Sequence, residues 1–371
     1  MQKIVFTVTN DLTFDQRMQR ICSSLAASGY EILLVGRKQP NSTVFHPSNF
    51  KLKRITCWFN KGIGFYAEYN IRLFFFLLFI QTDAFCAIDL DTILPNYFAA
   101  LIRRKKRMYD AHELFTEQKE IVVRPLIHKI WLSIEAFAVP KFTHGYTVNE
   151  FIKTELNRRY KVQYNIVRNL PKSNIDKESY LQTSVELPNQ FIIYQGAVNE
   201  GRSFETLIPA MKQFNIPLLI CGEGNFYEQT KALVQLHQVE EKVIMLGYVT
   251  PNELKSITPK ALFGLTLFEK TGLNQYYSLS NRFFDYTMAN IPQVCVGYPE
   301  YKSINDIYPT ALLIDDVNEQ TIADAMNKLH QDNVLYKKLQ ENCKQASAIF
   351  NWENEEKKLI AYWKEIFEQH G

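Results

Sequence analysis

The stretch Ser278–Pro292, SLSNRFFDYTMANIP, predicts a short helix with two charged groups on one side. Ser278 and Ser280 are N-cap candidates, and a proline closes the segment. Arg282 and Asp285 are three residues apart, so both side chains leave the helix on the same side.

The position of Arg282 within this stretch points to an anion. It falls in the first turn, where the helix dipole disfavours a cation. A phosphate removes this misfit, because helix N–H groups and a guanidinium then share one anion. One turn on, Asp285 is placed to accept the two hydroxyls of a ribose. The residues alone leave a second interpretation open, an Arg282–Asp285 surface pair beside core aromatics.

The same residues resemble the nucleotide-binding helix of glycosyltransferase family 4, retaining enzymes with the GT-B fold. Arg282 stands where that family usually has Lys, and Asp285 stands where it has Glu. The resemblance implies that Ser280, Asn281, Arg282 and Asp285 bind a nucleotide-sugar donor. Many members carry a further Glu where this chain has Tyr277.

The length of 371 residues predicts two domains of about 150–200 residues. Alternating patterns predict strands near 4–9, 32–35, 83–88, 107–109, 147–149, 165–169, 191–195, 216–221, 243–247 and 261–267, and helices near 14–28, 66–82 and 94–104. Such alternation predicts an α/β protein with parallel sheets. The unpatterned segment 171–189 is the predicted linker.

The GT-B resemblance implies two doubly wound Rossmann-like domains facing a central cleft. The first, residues 1–170, would bind acceptor, and the second, residues 190–350, would bind nucleotide sugar. In this fold the last helix crosses back to the first domain, which the amphipathic tail, residues 351–371, is expected to do; packing on its own domain is the alternative.

Composition excludes several classes. A hydrophobic share of 46% is that of a globular protein, and a net charge of +3 is too small to argue for nucleic acid. Six cysteines are scattered singly, which indicates a reducing compartment and no structural zinc. No His, Cys and Asp set has metal-ligand spacing, so no metal or other cofactor is expected.

In the second half, Gly196–Arg202 resembles a glycine-rich turn of the family, with Arg202 in the position of its Lys. Glycine lets backbone approach phosphate, and Arg202 with Arg282 is predicted to clamp the diphosphate. Four further residues resemble the turns that flank the nucleobase, although each taken alone is typical of an ordinary turn: Gly222, Gly224, Gly247 and Tyr248.

In the first half, Asp110–Glu113 follows a predicted strand, and ligands bind beyond the carboxyl ends of such strands. The sequence Asp-Ala-His-Glu resembles the Asp-x-His-Glu loop of one family branch. This likeness implies catalytic roles for Asp110, His112 and Glu113, whereas a lone His is more often structural. The first strand-to-helix loop predicts an acceptor-side set, or else a polar turn with an N-cap: Asn10, Asp11 and Arg17.

Two segments suggest a membrane surface. Leu73–Ile80 is apolar but too short to span a bilayer, which needs about 20 residues. Arg103–Arg107 is an unbroken basic run, which is also typical of a helix C-terminus. We expect a cytoplasmic protein with peripheral membrane contact through these two segments.

The predicted function is transfer of a sugar from a nucleoside-diphosphate sugar, with retention, to a glycan or lipid-linked glycan of a surface polysaccharide or glycoprotein. A non-catalytic nucleotide-sugar-binding subunit is one alternative. A GT-B-like sugar-nucleotide epimerase is another, but it needs acidic catalytic residues around the donor that this sequence does not place there.

Overall fold

Two separate parallel β-sheets, one in each half of the chain, confirm the predicted fold class. The computed structural model describes residues 1–13, 15–40, 42, 47–173 and 186–368. The chain divides into unit 1, Met1–Asn169 with the chain from Glu355 onward, and unit 2, Leu170–Asn354. Most of the predicted linker, residues 174–185, lies outside the described residues.

Unit 1 is built on strands β1 (Lys3–Asp11), β2 (Glu31–Arg37), β3 (Lys51–Ile55), β4 (Ala84–Ile88), β5 (Lys106–Ala111), β6 (His144–Thr147) and β7 (Asn165–Ile166). Within the described residues they form one parallel sheet in the order β3-β2-β1-β4-β5-β6-β7. Strands β1 and β4 are apolar runs because helices cover both faces of such a sheet. Strand β3 was not predicted, since an edge strand tolerates the charges of Lys-Leu-Lys-Arg-Ile.

The helices of unit 1 are α1 (Gln16–Ala27), α2 (Gly62–Phe79), α3 (Ile93–Arg103), α4 (Lys119–Val122), α5 (Pro125–Ala138) and α6 (Glu150–Tyr160). The strand order runs outward in both directions from the β1–β4 pair. This is a topological switch point, where α/β sheets bind ligands beyond the strand ends.

The last helix, α15 (Trp352–Glu368), packs on unit 1 over most of its length. Its predicted apolar stripe is fully buried: Leu359, Trp363 and Ile366. The Trp363 ring meets the Phe6 ring edge-on, with centroids 5.6 Å apart. The Tyr362 hydroxyl accepts a hydrogen bond from the Gly145 N–H at 2.9 Å.

Unit 2 has strands β8 (Ile192–Gln195), β9 (Leu218–Cys221), β10 (Val243–Gly247), β11 (Gly264–Thr266), β12 (Gln293–Val296) and β13 (Ala311–Ile314). Its helices are α7 (Phe204–Ala210), α8 (Tyr227–His237), α9 (Pro251–Ile257), α10 (Leu273–Tyr276), α11 (Asn281–Met288), α12 (Pro299–Ile307), α13 (Glu319–Gln331) and α14 (Asn333–Ile349). In the part that the structure describes, the sheet order is β10-β9-β8-β11-β12-β13, all parallel, with its switch point between β8 and β11.

The start of α11 differs from the expected side-chain cap. Ser280 has the extended backbone of an N-cap, but its side chain makes no capping hydrogen bond. The Ser278 hydroxyl instead donates to the Gln275 carbonyl at 2.8 Å. The Ser280 N–H donates to the Tyr301 hydroxyl at 2.9 Å, which anchors the chain where the helix begins.

The apolar run Leu73–Ile80 does not act as one exposed segment. Leu73 and Leu77 are buried between α2 and the sheet, while Phe75 and Phe79 are exposed. Among the described residues, no helix is both long and apolar enough to cross a membrane.

The basic run Arg103–Arg107 is largely bound within the protein. The Arg103 guanidinium donates to the Leu77 carbonyl at 2.8 Å and so caps the end of α2. Arg107 donates to a backbone carbonyl at 2.7 Å, and Lys106 donates to another. Arg104 is exposed, and membrane contact through this run stays a prediction.

Candidate active site

The glycine turn after β8 is packed against the turn after β9. Gly196 has φ +109°, a left-handed conformation that favours glycine. A Cβ on Gly222 would lie 1.8 Å from the Gly196 carbonyl oxygen, and one on Gly224 would lie 2.3 Å from the Val198 oxygen. These glycines are therefore required by contact between the two turns, and their role at a nucleobase stays a prediction.

The Arg282 guanidinium lies inside unit 2, with only 6% of the residue exposed, so the surface ion pair is excluded. It stacks 4.1 Å from the Tyr194 ring centroid and 5.3 Å from that of Phe268. A Cβ on Gly196 would lie 3.5 Å from Arg282 Nη2, so Arg282 borders the glycine turn. Its Nη1 is buried and has no hydrogen-bond partner among the described residues.

Arg202 shares an aromatic support with Arg282. Its guanidinium carbon lies 4.4 Å from the centroid of the Phe268 ring, which follows β11. The two guanidiniums thus converge on one ring at the switch point of the sheet. A guanidinium with a buried N–H group that has no partner in the described part of the chain, as in Arg282, favours an anion beside it. Sequence reasoning missed Phe268 and Tyr194. The only feature of the sequence that could have indicated them is their place at or just after the ends of strands.

Asp285 faces the same strand end. Its Oδ2 accepts a hydrogen bond at 3.1 Å from Gln195 Nε2, the last residue of β8. The Gln195 amide oxygen in turn accepts from the Thr258 hydroxyl at 2.6 Å, which fixes the amide's orientation. The side chains of Arg282 and Asp285 therefore extend from the same side of α11 toward the carboxyl end of β8, as their spacing predicted.

The remaining predicted donor residues lie along the same sheet edge. Gly247 has φ +68° at the end of β10, and Tyr248 after it is 57% exposed. The Tyr248 N–H approaches Glu223 Oε1 at 3.4 Å, which brings this loop beside the turn after β9. Asn281 is the first residue of α11.

In unit 1, three of the predicted residues meet at the end of β5. Asp110 is fully buried, and its Oδ1 lies 3.1 Å from Arg17 Nη2. His112 Nε2 lies 2.8 Å from Arg17 Nε and 3.1 Å from Asp110 Oδ2. Arg17 is itself buried and also donates to the Val167 carbonyl at 3.2 Å.

Asp89, which sequence reasoning did not assign to the site, holds the other side of His112. Its Oδ1 accepts from the His112 N–H at 2.9 Å, and its Oδ2 lies 3.5 Å from Nδ1. Asp89 has φ +53° and ψ 176°, a strained conformation for a residue with a side chain. The sequence feature that could have indicated Asp89 is the pair of acids Asp89 and Asp91, which directly follows β4. Strand β4 lies beside β5, so its end is next to the end of β5.

The other predicted residues lie apart from this cluster or at its margin. Asn10 is exposed and approaches Asp15 at 3.4 Å. Asp11 accepts from the Thr13 N–H at 2.9 Å and from Arg54 at 3.5 Å. Glu113 is half-buried and accepts from the Gln118 amide.

The protonation states in unit 1 are set by burial and by these pairs. Burial raises the pKa of the Asp110 carboxyl, but Arg17 and His112 outweigh it and hold that pKa below its usual value. Burial lowers the pKa of His112, but the Asp110 and Asp89 carboxylates raise it by more. The net pKa of His112 is therefore raised. In the neutral form Nε2 accepts from Arg17, and Asp110 Oδ2 then has no donor among the described residues.

Two further carboxyls of unit 1 have raised pKa values. Burial raises the pKa of Asp89 to about 8 and that of Asp91 to about 7. Nearby Glu113 acts in the same direction on both. The Thr9 hydroxyl donates to Asp91 Oδ2, so this carboxyl accepts one hydrogen bond from β1.

These shifts give a pH prediction. A raised folded-state pKa adds stability that is present below the unfolded value and is lost as pH rises through the folded value. Asp89, Asp91 and His112 all act in this direction, so the free energy of unfolding should fall from pH 6 to pH 9. Asp91→Asn mimics the protonated carboxyl and should make this fall shallower. Urea unfolding at four pH values measures it, and identical slopes in parent and variant would contradict the assignment.

The described residues contain no group of three or more His, Cys, Asp or Glu side chains arranged to hold a metal ion. The positive charges at the unit 2 site are arginines instead.

The fold matches solved structures over nearly the whole chain. Sucrose-phosphate synthase from Thermosynechococcus elongatus has a TM-score of 0.79 at 15% identity, covering 100% of both chains. Anabaena HepE in complex with UDP-glucose has a TM-score of 0.78 at 11% identity, covering 98% of this chain and 100% of that one. WaaG, a glycosyltransferase involved in lipopolysaccharide biosynthesis, has a TM-score of 0.73 at 14% identity, covering 96% of this chain and 98% of that one.

At these identities the structures show the fold alone. Residues 177–347, most of unit 2, match the family model of Glycosyl transferases group 1. The chain is a GT-B glycosyltransferase. No curated protein matches its sequence. In this glycosyltransferase the matched segment contains all the predicted donor residues, from Gly196 to Asp285, and the Asp110–Glu113 loop lies outside it.

Proposed function

We propose that this glycosyltransferase moves a sugar from a nucleoside-diphosphate sugar, with retention of configuration, to a glycan or lipid-linked glycan acceptor of a surface polysaccharide or glycoprotein. One observation carries the donor class. Arg282 and Arg202 converge on Phe268 beside the Gly196 turn, and Arg282 Nη1 is buried without a partner among the described residues. A diphosphate supplies acceptor oxygens to the buried Arg282 Nη1 and brings negative charge beside its guanidinium.

The same two arginines would also stabilise the transition state of sugar transfer. As the sugar leaves, negative charge grows on the diphosphate, and cations fixed in place stabilise it without reorganisation. Because both guanidiniums rest on aromatic rings, their positions do not depend on the ligand. We infer that this chain needs no metal ion or other cofactor for that step.

Asp285 is proposed to accept the two ribose hydroxyls of the donor. Asp285→Asn should weaken binding of the nucleoside diphosphate about tenfold, because hydrogen bonds to a charged acceptor contribute about 1.5–3 kcal/mol. Isothermal titration with the ribose and 2′-deoxyribose nucleotides measures it. Glu205→Gln, at an exposed acid of α7, is the control that should bind like the parent. Equal affinity of the parent for the two nucleotides would overturn this role.

His112 is proposed to face the donor sugar or orient the acceptor, with Asp110 and Glu113 in support. His112→Ala should lower turnover at least about tenfold, or about 1.4 kcal/mol, and leave nucleotide affinity unchanged. His144→Ala is the control for this loss. His144 begins β6, so it lies at the amino-terminal ends of the strands, away from His112 at the carboxyl end of β5. Turnover equal to the parent's would make His112 structural. Acceptor-side roles are proposed for Asn10, Asp11 and Arg17 only because these residues lie at or after the carboxyl end of β1, where parallel sheets bind ligands.

A donor screen tests the function itself. Purified protein is incubated with UDP- and GDP-sugars, and release of nucleoside diphosphate is measured. UDP-sugars come first, because the HepE complexes contain UDP and UDP-glucose. The anomeric configuration of the product, read by NMR, tests retention. No binding or turnover of any nucleotide sugar would overturn the proposal.

We further propose that the protein works in the cytoplasm at the inner face of a membrane. All six cysteines are free thiols, which fits a reducing compartment. A lipid-linked acceptor would be met at that surface.

A further inference from the structure

Three neighbouring helices of unit 1 each expose an apolar stripe. On α2 the stripe is Ile71, Phe75 and Phe79, spaced by four residues; on α3 it is Phe98, Leu101 and Ile102; on α5 it is Leu126, Ile130 and Phe137. The exposed fractions reach 83% at Phe79, 61% at Ile102 and 71% at Leu126. Helical spacing puts each set on one outward side, and together we call them the three-helix face.

The three helices form one layer. Arg103 of α3 donates to the Leu77 carbonyl of α2. Phe137 of α5 contacts both Tyr97 and Phe98 of α3, with ring centroids 5.5 Å and 6.3 Å apart. The apolar stripes therefore belong to a continuous surface, and contiguous exposed apolar patches mark sites of interaction.

The charge on and around this face is mainly positive. The only acids in the three helices are Glu68 and Glu135, whose side chains are 11% and 3% exposed. Lys129 is exposed between the apolar residues of α5. At the margins Lys105 pairs with Asp83 at 3.6 Å, and three further cations, Arg104, Arg124 and Lys141, outnumber one further acid, Glu120.

Unit 2 has no comparable surface in its described residues. Its large exposed hydrophobic residues are spread over separate elements: Leu236, Tyr248, Leu273, Ile307, Val334 and Ile349. Unit 1 also exposes Met1, Trp58, Phe59, Ile63, Val122 and Val123 outside the three stripes, so unit 1 carries most of the large exposed hydrophobic residues that the structure describes.

We propose that the three-helix face binds the surface of a bilayer that contains anionic lipid. Apolar side chains enter the acyl boundary, and the surrounding lysines and arginines meet lipid phosphates. A second copy of the chain fits less well, because a two-fold contact would bring the same cationic margin against itself. This inference deepens the proposed membrane location and rests on it.

Vesicle flotation of the full chain tests the proposal. Vesicles of phosphatidylcholine alone are compared with vesicles containing phosphatidylglycerol, at low and high salt. The apolar variant is Phe79→Ser with Ile102→Ser and Leu126→Ser. The matched control is Leu236→Ser with Ile307→Ser and Val334→Ser, equally exposed residues of unit 2.

We expect the parent and the control to bind anionic vesicles, and the apolar variant to bind at least about tenfold more weakly. Lys129→Glu with Arg104→Glu and Arg124→Glu should remove the preference for anionic vesicles and the salt dependence. Melting temperatures should match the parent's in all variants, because every changed residue is exposed.

Three results would overturn the proposal. One is no flotation of the parent at low salt. Another is equal flotation of parent and apolar variant. The third is a dimer, seen by analytical ultracentrifugation without lipid, that the apolar variant abolishes. Release of nucleoside diphosphate from soluble donor should be unchanged in the apolar variant, so loss of the transferase function and loss of membrane binding are measured separately.

Discussion

Arg282→Ala should lower kcat by about 30- to 10³-fold, a loss of about 2–4 kcal/mol of transition-state stabilisation. The guanidinium is held between Tyr194 and Phe268 beside the Gly196 turn, with one buried N–H group left for a ligand. Its removal takes a fixed positive charge from the place where the leaving diphosphate gains negative charge. Release of nucleoside diphosphate from saturating donor measures the effect, and the melting temperature shows whether unit 2 still folds.

Two further variants separate charge from geometry. Arg282→Lys keeps the charge but loses the planar group that stacks on the two rings, so turnover should fall between the parent and Arg282→Ala. Lys270→Ala removes an exposed cation that lies 4.4 Å from the Tyr276 ring, and turnover should be unaffected. A folded Arg282→Ala protein with the parent's turnover would show that Arg282 only packs the strand end.

The helix Asn281–Met288 shows what the sequence can predict about a site. Spacing alone put Arg282 and Asp285 on one side of a helix, and the structure places them at Gly196 and Gln195, consecutive residues at the end of β8. Apolar runs such as 191–195 and 243–247 were recognised as strands because both faces of a parallel sheet are covered.

Burial and long-range partners were not predictable in the same way. Arg17 and Asp110 are 93 residues apart in sequence, and nothing local to either indicates that the sheet buries them together. Asp89 was not assigned to the site, because its positive φ and its contact with His112 arise from the tertiary structure around it. A hydrophobic run such as Leu73–Ile80 likewise does not show which of its residues face the core.

The Arg17–Asp110 pair gives the largest expected change in stability. Both residues are almost fully buried, and Asp110 Oδ1 lies 3.1 Å from Arg17 Nη2. Arg17→Met leaves a buried carboxylate without its main partner, which should lower the free energy of unfolding by about 3–5 kcal/mol. Urea unfolding followed by tryptophan fluorescence suits this test, because Trp58, Trp131 and Trp363 lie in unit 1.

The matched control is Arg54→Met, the same substitution at a more exposed ion pair of the same unit. Arg54 lies 3.5 Å from Asp11, with 20% and 10% of the two side chains exposed, so its loss should cost about 1 kcal/mol or less. Adding Asp110→Asn to Arg17→Met should recover much of the stability, because the uncompensated charge is then gone. Equal effects of the two arginine substitutions would mean that Asp110 is solvated in solution, and the buried ion pair at the end of β5 would then be wrong.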